Sequence, residues 1–163
     1  MREAIRAHLD THQVSRVIYG AIIGLALVVA LEHHPPPVGA VIATLLGTAI
    51  AVGLAELYSD VIGIEVRLHR RISHADLAPL LEDVAAVAIG IAFPVVFFLL
   101  AAIGAMELDN AFRIAKWTGL GLIAFYGFCA ARLSGVSPHR SVLRALAVGL
   151  IGAFLIGLKA LVH

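Results

Sequence analysis

The chain has 163 residues, 61% of them hydrophobic and only 14% charged, with a formal net charge of +1. A water-soluble domain of this size is near half apolar and a quarter charged, so these figures exclude a disordered chain, a disulfide scaffold and an ordinary globular enzyme. The mean hydropathy of +0.98 indicates a polytopic membrane protein instead, and no basic block is long enough to grip nucleic acid.

Charges punctuate the sequence into five apolar stretches. The first runs from Val17 to Leu31, between Arg16 and Glu32. The second follows Pro35, Pro36 and Pro37 and stays uncharged from Val38 to Ala55. The third extends from Val84 to Met106, the fourth lies between Lys116 and Arg132, and the fifth between Arg144 and His163. A membrane-spanning helix needs roughly 20 residues at 1.5 Å rise each. The first, fourth and fifth stretches therefore recruit flanking residues, and Arg16, Lys116, Arg132, Arg144 and Lys159 are placed to snorkel. Continuous rather than alternating apolar residues exclude a β-barrel. The expected fold is an all-α bundle of five transmembrane helices, at approximately 14–32, 38–66, 80–106, 111–133 and 141–162.

Arginine and lysine alternate between connections. Arg2, Arg6 and Arg16 precede the first span, Arg67, Arg70 and Arg71 follow the second, and Arg132, Arg140 and Arg144 surround the fourth connection. The connection at Glu32–Pro37 has none, and the one near Glu107 and Asp109 is acidic. The positive-inside rule then puts the N-terminus inside, in an inner or plasma membrane.

Within the spans, Val38 to about Arg70 contains no proline. One long helix is expected there, its last turns reaching into the cytoplasm. Ser73 and Asp76 have capping-box spacing, with Pro79 in the first turn or at a bend. Pro94 predicts a kink in the third span. Gly20 and Gly24, and Gly149, Ala153 and Gly157, form small-residue faces that serve either packing within the subunit or a dimer seam.

Glu56 and Asp60 are the most informative polar pair. Carboxylates one turn apart on an apolar helix offer hard oxygen ligands for a divalent cation, or a proton-exchange site. Tyr58, Ser59 and Glu65 add oxygen nearby. The plainer alternative places both acids at the interface, solvated or paired with Arg132 or Arg71. His33 and His34, and His69, His74 and His139 with Asp76 or Glu82, read as solvated surface groups rather than ligands. Trp117 reads as an interfacial anchor, and Lys116 as a partner of Asp109 or Glu107 or a bundle-facing group. No nucleophile elbow, Walker loop, HExxH or CxxC occurs, and the single Cys129 forms no internal disulfide. An enzyme is not expected, and no cofactor is called for.

Three segments resemble the vacuolar iron transporter family. Tyr19-Gly20-Ala21-Ile22-Ile23-Gly24 resembles its first-span YGxxDG pattern. Ala51 to Ser59, with Glu56 and Tyr58, resembles a second-span stretch, and Ala131 to Gly135 with Ser141, Leu143, Arg144 and Gly149 resembles the last loop and fifth span. The resemblance implies a homodimer of five-span subunits that transports iron or manganese. The family's first-span Asp is Ile23 here, and its Glu-rich cytoplasmic domain is reduced to about Arg67 to Asp83. Coordination of a metal then falls to Glu56, Asp60 and Glu65. The second expectation is a non-transporting membrane scaffold that keeps the bundle without the metal path.

Overall fold

The computed structural model describes residues 11–133, and all regular structure in this range is helical. We number the helices α1 (Thr11–Glu32), α2 (Val38–Leu68), α3 (His74–Ala92), α4 (Val95–Ala102) and α5 (Leu108–Leu133). The expected span at 141–162, with the Gly149, Ala153 and Gly157 face, His139 and Arg140, lies outside the described residues, as do Arg2, Arg6 and the side chain of Arg132.

Two helices, α1 from Gln13 and α2, are long and apolar enough to cross a membrane, and the bent pair α3–α4 makes a third if it is one span. α2 is unbroken for 31 residues, about 46 Å at 1.5 Å per residue. It opens directly after the proline triplet, whose last member supplies the carbonyl that accepts from the Ala40 and Val41 N–H groups. It ends where His69 takes a left-handed backbone conformation (φ 51°), which stops further helical hydrogen bonding.

The turn that follows is held by side chains. The Asp76 carboxylate accepts from the Ser73 N–H at 2.9 Å and from the Ser73 hydroxyl at 2.7 Å, the expected capping arrangement. Arg70 donates to the same carboxylate at 2.7 and 3.1 Å. α3 continues through Pro79 without a break, so the amphipathic lead-in and the apolar run form one helix. The break comes at Pro94, where the axis bends by 47° between α3 and α4. Proline removes a backbone donor and its ring crowds the preceding turn, and this produces the kink that its position predicts.

α1 packs against α3 and α5, while α2 packs against α3 and α4. The α1–α3 contact is backbone against backbone. A methyl group at Gly20 would collide with the Val87 carbonyl, one at Gly24 would lie 2.9 Å from the Ile91 oxygen, and one at Gly90 would lie 2.6 Å from the Val17 oxygen. The Gly20 and Gly24 face is therefore a seam within the chain. At one end of the bundle Val28, Val41, Leu45, Val95, Phe98 and Phe112 close a core drawn from α1, α2, α4 and α5, with the Phe98 and Phe112 rings edge to face at 4.8 Å.

The outward surface is apolar as well. Leu46, Ile50, Leu54, Tyr58, Ile62 and Val66 recur every four residues along α2 and are all exposed, Tyr58 to 69%. Such a stripe is unfavourable in water and at home in hydrocarbon.

The seam makes a direct prediction. Gly20→Ala must push α1 off α3 and should cost about 1–3 kcal/mol, the usual range for overpacking. Gly47→Ala, where a methyl meets nothing within 4 Å, should be neutral or stabilising by up to about 1 kcal/mol. Unfolding titrations of the two variants in mixed micelles measure the difference, and equal stabilities would refute the seam.

Candidate functional site

Polar chemistry concentrates where α1, α2 and α3 meet, at the end away from the aromatic core. Glu56 and Asp60 are one turn apart on α2, and both face the same group, the Arg16 guanidinium of α1. Arg16 Nη1 donates to Glu56 Oε2, and Nη2 donates to Asp60 Oδ2 at 3.0 Å. The same Nη2 lies 3.9 Å from Asp83 Oδ2 on α3. The four side chains are mostly buried, between 17% and 26% exposed. One turn before Arg16, Gln13 Nε2 donates to Glu82 Oε2 at 3.3 Å, so polar contact between α1 and α3 continues outward.

The sequence placed Glu56 and Asp60 on one face correctly but did not name their partner. Arg71 is exposed in the turn beyond α2, and Arg16 takes the place assigned to it; the Arg132 side chain lies outside the described residues. Arg16 thus points inward to carboxylates rather than merely snorkelling. Asp83 was not among the candidate groups. It is the last charged residue before the uncharged run of α3, as Arg16 is the last before that of α1, and this common position is the signal that could have found it.

Glu65 stands apart from the cluster. Its Oε1 accepts the Ile72 N–H at 3.2 Å, holding the turn between α2 and α3. Tyr58 and Ser59 are exposed. Among the described residues no group of three or more His, Cys, Asp and Glu side chains has a metal-holding arrangement. Ile23, at the position of the transporter pattern's Asp, packs against the apolar cluster of Ala49, Val87 and Ile91.

Among the described residues, the Arg16 guanidinium faces three carboxylates, Glu56 and Asp60 by hydrogen bond and Asp83 at 3.9 Å. The opposite end of α1 differs. There Lys116 Nζ of α5 donates to both oxygens of Glu32, at 2.7 and 2.8 Å, one cation to one anion. Lys116 therefore bonds across the bundle to Glu32 rather than to Asp109 or Glu107.

An open apolar groove of about 470 Å³ runs between α2 and α3, lined by Leu46, Ile50, Leu54, Leu57, Leu81 and Val84 among others. Polar surface is almost absent from it, so it contributes no chemistry of its own. Comparison with known proteins finds no matching family model, no similar curated protein and no similar solved structure.

Arg16 and Glu56 should be strongly coupled. In a double-mutant cycle of Arg16→Gln and Glu56→Gln, read by reversible unfolding in micelles, the interaction energy is expected at about 1–3 kcal/mol. Additive effects would show that the pair does not hold the helices.

Proposed function

We propose that the chain is a five-span membrane protein, N-terminus inside, that moves a divalent cation such as iron or manganese at the α1–α2–α3 carboxylate cluster. The supporting observation is that Glu56 and Asp60, two mostly buried carboxylates one turn apart, converge on one guanidinium between apolar helices. Ionisable groups inside a membrane bundle are costly, and they mark ion and proton pathways. Glu56 and Asp60 supply the oxygens that meet the ion, and Arg16 is the resident counter-charge. Glu65 lies five residues farther along α2, at the cytoplasmic mouth. The resemblance of Tyr19–Gly24 and Ala51–Ser59 to vacuolar iron transporters supports the same assignment, with a homodimer in an inner or plasma membrane.

The second reading is a membrane scaffold without transport. It is favoured by two observations: Ile23 sits in an apolar cluster where the transporter pattern has an acid, and Arg16 already engages Glu56 and Asp60. This reading calls for no divalent-metal stabilisation and for a protein partner at the α2–α3 turn.

Uptake of iron, manganese, cobalt and zinc into proteoliposomes separates the two. Saturable uptake by the native chain, reduced to the level of empty vesicles by Glu56→Gln with Asp60→Asn in a bundle that still unfolds cooperatively, is the expected result. Flux unchanged in the double variant removes the site. No flux of any of the four ions by folded protein leaves the scaffold.

A further inference from the structure

α2 keeps its acids and its bases apart. The acids turn inward, Glu56 and Asp60 to Arg16 and Glu65 to the Ile72 amide. From Val38 to Val66 the helix exposes no Asp, Glu, Lys, Arg or His. That run is about 42 Å long at 1.5 Å per residue, close to the roughly 40–45 Å of a bilayer with its headgroup layers. It ends abruptly. Arg67, His69, Arg70 and Arg71 follow at once and are all exposed, so the basic group falls at the depth of the lipid phosphates.

The three arginines are not equivalent. Arg70 is engaged, donating to both oxygens of Asp76 at 2.7 and 3.1 Å. Arg67 uses only its Nε, on the Gly63 carbonyl of its own helix at 3.1 Å. Arg71 has no side-chain hydrogen bond or ion pair among the described residues. Two guanidinium groups are therefore open to an outside partner. Exposed arginines alone would suit water equally well, but their neighbours do not. Val66 and Leu68, on either side of Arg67 in the chain, are 67% and 53% exposed. Apolar side chains flanking a guanidinium suit the boundary between acyl chains and phosphates, where the arginine stem lies in hydrocarbon and its head snorkels to the anions.

We propose that the end of α2 and its turn into α3 form a binding surface for anionic phospholipid. Acyl chains lie along Ile62 and Val66, which continue the apolar stripe of Leu46, Ile50 and Leu54, and Arg67 and Arg71 hold the phosphate. Arg70 stays with Asp76 and keeps the turn. A basic segment at the end of a membrane helix attracts anionic lipid by an amount that grows with each arginine and falls with salt. The surface rests on the membrane setting of the reading above and not on transport. A protein partner at the same turn would instead require the turn to stand in water, clear of the headgroups.

The test is tryptophan quenching by lipids with brominated acyl chains, in vesicles that mix phosphatidylcholine and phosphatidylglycerol. Trp117 is the only tryptophan, so in a Trp117→Phe background the full chain carries a single reporter. It is placed at Val66→Trp, beside the arginines, or at Ile50→Trp, about 24 Å back along α2; both positions are exposed. Brominated phosphatidylglycerol should bind next to Val66→Trp about fivefold more tightly than brominated phosphatidylcholine, the contribution of roughly one arginine at an anionic surface. It should show no preference at Ile50→Trp. Arg67→Gln with Arg71→Gln should abolish the preference, as should high salt, whereas Arg70→Gln should keep it. Val66→Trp left unquenched by either lipid, while Ile50→Trp is quenched, puts the turn in water and overturns the surface. Equal quenching of Val66→Trp by both lipids, or a preference that survives in the double glutamine variant, overturns the assignment to Arg67 and Arg71. An unquenched Ile50→Trp removes the membrane setting itself, a failure distinct from that of the surface.

Discussion

The contact between α1 and α3 at Gly20, Gly24 and Gly90 sets the register of the rest of the bundle. A side chain at any of the three would collide with a carbonyl or amide of the facing helix, so the two helices pass at a separation that only glycine permits. Once α1 is fixed on α3, Arg16 falls level with Asp83, and α2 brings Glu56 and Asp60 to the same level from the other side. At the far end the same register carries Glu32 to Lys116 on α5. A slip of one residue would set a side chain against the facing backbone. The ion pairs at both ends of α1 resist it as well, because each would then leave a charge without its partner in a layer that is mostly buried.

Much of this geometry was legible as levels and little of it as pairs. Arg16, Glu56 and Asp83 each end an uncharged run, and antiparallel helices place those ends at one side of the bundle; Glu32 and Lys116 end runs at the other. Hydropathy therefore gave the height of every charge that matters. The partners depend on rotation about each helix axis, which small-residue packing decides and which no local pattern reports. Arg16 and Glu56 are 40 residues apart, and several arginines at the same end compete for the acid on paper. The same gap explains Lys116, whose local acids Glu107 and Asp109 were nearer in sequence than Glu32.

Local chemistry was more readable. Pro94 ends α3 in a kink, Ser73 and Asp76 cap the start of the same helix, and the proline-free stretch after Val38 is one helix. In each case backbone donors and acceptors settle the matter within a few residues. The i, i+4 spacing also put Glu56 and Asp60 on one face, where both meet Arg16. Glu65 and Tyr58 stand off that face: Glu65 accepts the Ile72 amide and Tyr58 is exposed. The glycines were seen but their use was open, since a small face looks the same whether it meets its own chain or another.

The two ends of α1 bear on function through their difference. A structural tie between helices needs one cation and one anion, and the Lys116–Glu32 end has that composition. Such a pair costs desolvation and barely repays it against apolar side chains of similar volume. The Arg16 end has another composition: one guanidinium hydrogen-bonds Glu56 and Asp60 of α2 and lies 3.9 Å from Asp83 of α3. One cation there ties three helices at a point, where the Lys116–Glu32 pair ties two. Under the proposed function, Glu56 and Asp60 at this end are the oxygens that an ion would meet, and the single pair at the other end serves packing alone.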